Sequence, residues 1–434
     1  MKFRFVFFAL LAIGAFGGTA ALLYAWESPI ATIDPRSHVT PDRALARRGA
    51  SLALLGDCAT CHTAAGGLPY AGGLAMPTPF GTIYSTNITP DPETGIGRWS
   101  EQAFIRALRS GVDREGRHLY PAFPYDHFTR VTDGDAKALY AFFMSIDPVK
   151  SSAPSNELPF PLNVRLTLAG WKLLFLHPSR FVADPSKDEK WNRGKYLVDG
   201  LGHCGACHSP RNLLGAEITS SGFSGGEAEG WRAYALGGIS LAPVAWDEAA
   251  LADYLAHGFH PQHGTAQGPM ANVVDNLSQV DPSDVGAMAY YLASLGKGKG
   301  RNDVEKVAAG PGRLPQAAGT QAATPAIPPE AGGAIYITVC ASCHEGDRPV
   351  PFGGLRLDLS TALADATPAN LVNLVLRGIP ATAGASVRPI MPGFGEVLDD
   401  RQISDLANYL RTRLAGRQRW DGLDKAVAEA RGGQ

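Results

Sequence analysis

Hydrophobic residues recur at helical spacing in six short segments of this 434-residue chain, and stretches rich in glycine and proline separate them. Each of three units opens with one such segment and closes with another. The opening segments are residues 44–49, 193–198 and 333–336, and the closing segments are residues 135–143, 283–292 and 400–410. Apolar positions three and four residues apart predict amphipathic helices. The closing segments carry aromatic residues in similar places, Tyr140, Tyr290 or Tyr291, and Tyr409, which we expect to pack against the opening helices. The pattern predicts a mostly α-helical protein in which one unit is used three times.

The N-terminal residues have a different pattern. Lys2 and Arg4 are followed by 22 residues without a charge, residues 5–26. A bilayer span needs about 20 apolar residues, whereas the apolar core of a cleaved signal peptide has about 7–15 and is followed by small residues. We therefore predict a membrane anchor over residues 1–27 with its cytoplasmic end first, and a removed signal peptide is the alternative. Both place the remaining residues on the periplasmic side of the bacterial inner membrane.

All six cysteines belong to three copies of the motif Cys-x-x-Cys-His. The copies consist of Cys58, Cys61 and His62, of Cys204, Cys207 and His208, and of Cys340, Cys343 and His344. This spacing is typical of c-type haem attachment, in which two thiols bind one porphyrin and the imidazole binds its iron. Zinc knuckles and thioredoxin-like redox pairs do not need a histidine directly after each pair. The motifs therefore predict three covalently bound haem c groups and leave no thiol for a disulfide, an iron–sulfur cluster or a nucleophile.

The methionines are the candidates for the second axial ligand, because a thioether stabilises ferrous iron and suits an electron carrier. Met270 follows His208 by 62 residues, and Met391 follows His344 by 47 residues. Both methionines adjoin prolines and glycines, in what we predict to be loops just before a closing helix. Because a rigid extended loop can present its sulfur to an iron, we predict Met270 and Met391 as distal ligands.

The first unit departs from this pattern. The residue of the first unit that corresponds in spacing to Met270 is Phe123, which cannot bind iron. His127 follows four residues later and can supply an imidazole if the loop bends inward. A bis-histidine haem would have a lower potential than a histidine–methionine haem. We predict His127 as the ligand; Met76 and a five-coordinate iron are the alternatives.

Composition narrows the classes of function. The chain has 39 basic and 41 acidic residues and a net charge of -2, so no basic surface for nucleic acid is expected. Its 50 glycines and 32 prolines indicate many loops. This agrees with short helices that wrap a cofactor, since a porphyrin can fill the interior of a domain whose own core is small.

Several segments resemble the tri-haem cytochrome c subunits of membrane-bound periplasmic dehydrogenases for alcohols, aldehydes, gluconate and sorbitol. The resemblance covers about residues 40–415 and rests on TPFGTIYSTNITPD at 78–91, GRHLYPA at 116–122, residues 203–212, GPM at 268–270 and MPGF at 391–394. Many members have methionine where this chain has Phe123. The sequence FPYDH at 123–127, with PFPLN at 159–163 and AGW at 169–171, is more similar to the branch paired with molybdopterin hydroxylases. Those partners oxidise aldehydes or N-heterocycles such as nicotinate and isoquinoline.

The resemblance implies an electron-transfer subunit with no catalytic residue of its own. A separate dehydrogenase catalytic subunit, of the molybdopterin type in this branch, would oxidise the substrate with its own cofactor. The haems would then pass the electrons to membrane ubiquinone, to a terminal oxidase or to another cytochrome. The alternatives are the cytochrome subunit of a PQQ- or FAD-dependent alcohol or sugar dehydrogenase, and a haem enzyme with an open first haem.

The predicted fold is mostly α, with three tandem class I cytochrome c domains after an N-terminal hydrophobic helix. The domains are predicted at residues 40–150, 185–297 and 331–415, with an apolar connector at 151–184, a linker rich in Pro, Ala and Gly at 298–330, and a tail at 416–434. The connector is too short to span a membrane. It either docks on a partner or on the membrane interface, or packs between the first two domains.

Overall fold

The structure is a computed structural model that describes residues 18–19, 22–35, 42–237, 240–295, 330–345, 348–381 and 388–432. Most of the predicted anchor at 1–27 and nearly all of the predicted linker at 298–330 lie outside these residues. Among the helices that the structure describes, none combines the length and the hydropathy that a bilayer span requires.

The described part of the chain is mostly α-helical, as the apolar pattern predicts, and its strands form short antiparallel hairpins. The contacts divide the chain into two compact units. The first unit is formed by described residues of 1–185, 199–203 and 213–216, and the second by described residues of 186–198, 204–212 and 217–434. The second unit therefore contains residues of both the second and the third predicted domain.

The first unit contains the first Cys-x-x-Cys-His motif. Its helices are α1 (Arg43–Leu55), α2 (Cys58–His62), α3 (Glu101–Ser110), α4 (Tyr125–Phe128), α5 (Asp133–Phe143) and α6 (Leu168–Phe175), and its strands are β1 (Ala75–Thr78) and β2 (Gly81–Tyr84). A 3₁₀ turn at Arg165–Thr167 precedes α6. The packing of α1 against α5 forms the centre of this unit.

The second unit contains the other two motifs. Its helices are α7 (Glu189–Tyr196), α8 (Gly205–His208), α9 (Glu248–His257), α10 (Pro269–Leu277), α11 (Pro282–Ser294), α12 (Ala331–Ile335), α13 (Ala341–His344), α14 (Thr361–Ala364), α15 (Ala369–Arg377), α16 (Asp400–Tyr409) and α17 (Leu423–Gly432). Its strands are β3 (Gly226–Ala228), β4 (Trp231–Ala233), β5 (Phe259–His260) and β6 (Gly264–Thr265). Three helices continue as π-helical turns, at Leu197–Leu201, Tyr336–Cys340 and Leu410–Leu414. Helix α7 packs against α11, and α12 packs against α16.

A glycine occupies the same place in each of these three helix pairs. A Cβ atom added to the glycine would overlap a backbone carbonyl oxygen of the closing helix; the pairs are Gly49 and Ala138, Gly194 and Ala287, and Gly332 and Asp405. No other residue type lets the two backbones approach so closely. The three helix pairs thus share one crossing that depends on a single glycine each.

The aromatic residue that lies beside the glycine in the first helix pair is not the one predicted from the sequence. The Cβ atoms next to the three glycines belong to Phe142, Tyr291 and Tyr409, each four residues after the contacted carbonyl. Tyr140 is the predicted equivalent in the first unit, but its hydroxyl instead donates to the carbonyl of Trp99. Position along the helix, rather than residue type, decides which ring lies in the crossing.

The predicted tail contributes to a hydrophobic core in the second unit. Trp420, Leu423 and Val427 are buried together with residues of α15 and α16. The guanidinium of Arg411 lies over the Trp420 ring at 4.3 Å and donates to backbone carbonyls of Leu363 and Asp365. Helix α17 therefore packs on the third predicted domain.

Candidate haem sites

The first motif forms a short helix of its own. Helix α1 ends at Leu55, and Asp57 adopts a left-handed conformation (φ 52°) that separates α1 from α2. The Asp57 carboxylate accepts a hydrogen bond from the hydroxyl of Thr60, which stabilises this break. On α2, Nδ1 of His62 lies 2.6 Å from the carbonyl oxygen of Thr86. Burial lowers the pKa of His62, so the neutral imidazole, which is the form that binds a metal, is favoured.

The second motif has the same arrangement of its histidine. A π-helical turn continues α7 and is followed by His203 in a left-handed conformation (φ 39°), after which the motif begins. Nδ1 of His208 lies 2.7 Å from the carbonyl oxygen of Tyr234. Burial lowers the pKa of His208 as well.

The third motif repeats this contact within a shorter loop. Nδ1 of His344 lies 2.8 Å from the carbonyl oxygen of Leu355. A Cβ atom on Gly354 would lie 2.7 Å from the His344 ring, so this loop can close on the imidazole only with glycine at that position. Burial lowers the pKa of His344.

The three sites fit a covalently bound haem. In each motif a backbone carbonyl accepts the Nδ1–H, which sets the tautomer in which Nε2 would bind the iron. The six cysteines form no disulfide in the part of the chain that the structure describes, although each pair has a spacing that also occurs in redox disulfides. The sequence identified these nine residues, and the structure adds the three carbonyl partners, which lie 11 to 26 residues away.

A histidine in the second predicted domain has two buried ring nitrogens that are not hydrogen-bonded to any described residue. The ring of His263 stacks on Trp246 with centroids 3.5 Å apart, and its two buried ring nitrogens have no hydrogen-bond partner among the described residues. Burial lowers the pKa of His263 to about 4. Buried polar atoms are normally hydrogen-bonded, so this ring suits a polar group that the described residues do not supply. A haem carboxylate would accept the hydrogen bond of the one nitrogen that carries a proton in the neutral ring.

Met270 does not lie in a loop, contrary to the sequence-based expectation. It is the second residue of α10, which begins at Pro269. Gly268 turns the chain into this helix with φ 55°, and a Cβ atom there would lie 2.6 Å from the Trp231 ring. Proline is favoured at the first position of a helix, and so the Gly-Pro pair starts a helix rather than extending a loop. The Met270 side chain is half-buried, and its role as a distal ligand stays a prediction.

Met391 lies in an extended segment before α16. Its backbone pairs with that of Ile379, with N–O distances of 3.0 and 2.7 Å in the two directions. Gly378 (φ 67°) precedes this bridge, and a Cβ atom there would overlap the Met391 carbonyl oxygen. The segment is therefore held rigidly, as the sequence analysis expects of a loop that presents a ligand; coordination by Met391 stays a prediction.

The candidates in the first unit occupy different elements. Phe123 packs on Phe128, with ring centroids 5.3 Å apart. His127 is buried on α4, and its Nδ1 lies 2.9 Å from the carbonyl oxygen of Asp199. Met76 is half-buried on β1, opposite Ile83. The choice between His127 and Met76 stays open at this point.

Known protein families match separate regions of this chain. The cytochrome c family matches residues 46–147, which contain the first motif. The family described as cytochrome c oxidase, cbb3-type, subunit III matches residues 328–410, which contain the third motif. Two regions of the chain are therefore similar to cytochrome c domains.

Three relatives cover most of the chain. A nicotinate dehydrogenase subunit of Pseudomonas putida is 45% identical over 96% of this chain, but the chain spans only 35% of that relative's length. The gluconate 2-dehydrogenase cytochrome c subunit of Pantoea cypripedii is 38% identical over 85% of each chain. The fructose dehydrogenase cytochrome subunit of Gluconobacter japonicus is 35% identical over 96% of this chain and 88% of its own. This chain belongs to the family of cytochrome c subunits of dehydrogenases.

Membership in this family confirms the resemblance seen in the sequence. The cytochrome subunit carries covalently bound haem c and transfers electrons in a complex with a dehydrogenase catalytic subunit. The motif histidines and cysteines described above are the residues in this chain that suit the attachment of haem c.

A buried arginine that sequence reasoning missed connects the two segments with predicted methionine ligands. Arg388, three residues before Met391, forms an ion pair with Asp275 on α10, the helix that contains Met270. Its Nε donates to the carbonyl oxygen of His257 at 2.7 Å. The guanidinium is almost fully buried, whereas the Asp275 side chain is about half exposed. Nothing local in the sequence marks Arg388, since Asp275 lies 113 residues away.

A reciprocal amide contact strengthens the packing within the second unit. Asn370 on α15 accepts from the backbone N–H of Arg232 at 2.8 Å and donates to the carbonyl oxygen of the same residue at 2.9 Å. Asn373, one turn further along, donates to the carbonyl oxygen of Gly230 at 2.9 Å. Helix α15 thus completes backbone hydrogen bonds of the β3–β4 hairpin.

We expect Arg388→Met to lower the free energy of unfolding of the second unit by about 1–3 kcal/mol. The substitution removes charge-assisted hydrogen bonds and leaves the His257 carbonyl without its donor, although partial exposure of Asp275 limits the loss. Urea unfolding followed by circular dichroism measures it. Arg401→Met is the matched control, because Arg401 is 91% exposed and should change stability by less than about 0.5 kcal/mol. Equal unfolding midpoints for Arg388→Met and the unmodified chain would contradict this role.

Proposed function

We propose that this cytochrome subunit carries three haem c groups in three tandem class I cytochrome c domains and relays electrons from a molybdopterin-dependent catalytic subunit. The acceptor is membrane ubiquinone or a terminal cytochrome. The site of action is the periplasmic side of the inner membrane, with residues 1–27 as the anchor. In this proposal His62, His208 and His344 are the proximal ligands, and Met270, Met391 and His127 are the distal ligands.

The threefold repetition of one histidine contact is the main support for three haems. Each motif histidine has its Nδ1 within 2.6 to 2.8 Å of a backbone carbonyl oxygen, including His208 in the region between the two matched families. Each motif also follows a helix whose glycine packs on a closing helix. Because the middle unit has both features, it is proposed to bind haem like the other two.

The same kind of contact favours His127 over Met76 as the distal ligand of the first haem. Nδ1 of His127 lies 2.9 Å from a backbone carbonyl oxygen, that of Asp199, as in the three motif histidines. Metal-binding histidines characteristically donate their second ring N–H in this way. The His127 side chain is buried on a short helix rather than exposed on a loop, which supports a ligand role over that of a surface histidine.

Similarity to a nicotinate dehydrogenase subunit supports the choice of a molybdopterin partner, because the sequence resembles the branch that is paired with molybdopterin hydroxylases. The nicotinate dehydrogenase subunit is 45% identical to this chain, compared with 35% to 38% for the gluconate, fructose and alcohol dehydrogenase cytochrome subunits. The substrate is proposed to be an N-heterocycle or an aldehyde. Haem c supplies one-electron redox chemistry when bound. The residues of this chain hold and orient that group, and the partner's cofactor carries out the substrate chemistry.

Purification of the complex through a tag on this chain tests the proposal. We expect a stoichiometric amount of molybdenum and a catalytic subunit with bound pterin in the purified complex. Addition of nicotinate or an aldehyde should then produce the sharp α-band of reduced haem c. A complex that holds PQQ or flavin and no molybdenum would rule out the molybdopterin branch. A complex whose haems stay oxidised after its dehydrogenase has turned over would rule out the relay.

A further inference from the structure

Helix α6, within the predicted connector, has one face packed and one face exposed. Leu168, Ala169 and Lys172 are buried in the first unit. Leu173 and Leu174 point away from this contact and are 65% and 60% exposed. The packed face shows that the connector is a fixed part of the unit, and the exposed face leaves two large apolar side chains in contact with solvent.

The exposed apolar side chains extend beyond this helix into two strips. One strip consists of the exposed apolar residues of the connector: Phe160, Leu162, Val164, Leu166, Leu173 and Leu174. The other strip consists of exposed residues near the N-terminus: Leu22, Leu23, Tyr24 and Trp26. Soluble proteins rarely leave so many large apolar side chains together in water. We call these two strips the apolar surface.

Hydrogen bonds hold the two strips next to each other. His118 joins them, because its Nε2 lies 2.8 Å from the carbonyl oxygen of Ala25 and its Nδ1 lies 2.9 Å from Nζ of Lys172. The Arg165 guanidinium donates to the His118 carbonyl oxygen at 2.9 Å, which ties the start of the connector strip to the same residue. The two strips therefore belong to one continuous region of the first unit.

Lys172 fixes the orientation of α6. Its ammonium group donates to the carbonyl oxygens of Ser110 and Gly111 at 2.7 and 2.6 Å, and so caps the C-terminal end of α3. A cation is favoured at this end of a helix, where carbonyl groups lack internal partners. Burial lowers the pKa of Lys172 to about 7. An anchored lysine of this kind keeps Leu173 and Leu174 on the outer face.

The charges around the apolar surface favour a lipid over a protein as its partner. Apart from the buried Lys172, residues 158–183 include Arg165, His177 and Arg180, and they contain no aspartate or glutamate. Basic residues beside exposed apolar side chains suit the interface of an anionic bilayer. The N-terminal strip is also the end of an uncharged stretch of 22 residues, residues 5–26. Both strips thus have the composition of segments that enter a bilayer interface.

We propose that the apolar surface docks on an anionic phospholipid bilayer, with α6 lying in the interface and the N-terminal strip beside it. The proposal rests on the membrane location in the proposed function and adds a second attachment to the predicted anchor. It holds the unit with the first haem motif against the bilayer, with a fixed face toward the lipid.

A fluorescent label at residue 173 tests this docking. The proposed function places the six natural cysteines in haem attachment, so Leu173→Cys creates a single site for a thiol-reactive NBD dye. The full chain is reconstituted in vesicles of phosphatidylcholine and phosphatidylglycerol, with or without bromine on the acyl chains. We expect brominated lipid to remove most of the emission at position 173. Val397→Cys is the matched control, an apolar residue of similar exposure outside the apolar surface, and should keep its emission.

Two outcomes would overturn the docking, and neither would affect the relay. Equal emission at positions 173 and 397 in brominated vesicles would show that the apolar surface lies in water. Protection of position 173 only after the catalytic subunit is added would show a protein interface instead. Reduction of the haems by the catalytic subunit and its substrate should be unchanged in Leu173→Ser, so that a failure of the proposed electron relay is detected separately.

Discussion

Replacing Cys204 and Cys207 by serine is expected to reduce the number of covalently bound haems from three to two. Serine hydroxyls do not add to the porphyrin vinyl groups, and His208 alone holds no haem through denaturation. The haem content of the denatured chain, measured by the pyridine haemochrome method, and its intact mass both report the loss. The middle motif is the informative one to change, because it lies outside both matched family regions.

The control for this prediction is a neighbouring substitution that leaves the motif intact. Leu213 is 96% exposed and lies nine residues after Cys204. Leu213→Ser should keep all three haems. If the double cysteine variant also keeps three haems, the middle motif does not attach haem. At most two of the three proposed haem sites then lie in these motifs.

Elements whose signals are local can be predicted from the sequence. The closing helices are expected at 135–143, 283–292 and 400–410, and they are found at Asp133–Phe143, Pro282–Ser294 and Asp400–Tyr409. Each begins after a Thr or Asp whose side chain accepts from a backbone N–H of the first turn. Apolar periodicity and an N-cap residue both lie within one short segment, so sequence alone reveals them.

Features that depend on which distant segment packs against an element could not be predicted from local sequence signals. The aromatic ring in the first helix crossing is Phe142 rather than Tyr140, because the position of Gly49 on the opposing helix selects it. Gly268, which precedes the helix that contains Met270, lies against the Trp231 ring, a contact between residues 37 positions apart. The haem motifs were predictable from five adjacent residues, but the carbonyl that orients each histidine depends on the folded loop.

His127→Met is expected to raise the lowest reduction potential of the protein. If His127 is the distal ligand, the first haem is bis-histidine, and a neutral thioether in place of an imidazole favours ferrous iron. The shift should be a substantial part of the roughly 0.8 V range that axial ligands cover. A spectroelectrochemical titration of the haem α-band measures the three potentials. The same substitution should strengthen the weak long-wavelength absorption band that a thioether ligand gives to ferric haem, since a third histidine–methionine haem joins the two proposed with Met270 and Met391.

Met76→Leu is the matched test of the competing ligand. Met76 is half-buried on β1, and leucine keeps its apolar character and approximate size, so the fold should be preserved. If His127 binds the iron, Met76→Leu changes neither the spectrum nor any potential, whereas His127→Ala opens the first haem to carbon monoxide. If instead Met76→Leu weakens the thioether band and His127→Ala leaves all three potentials unchanged, then Met76 is the ligand. The hydrogen bond between His127 and Asp199 would then be only structural, because orienting a histidine ring matters for redox chemistry only when the ring binds the metal.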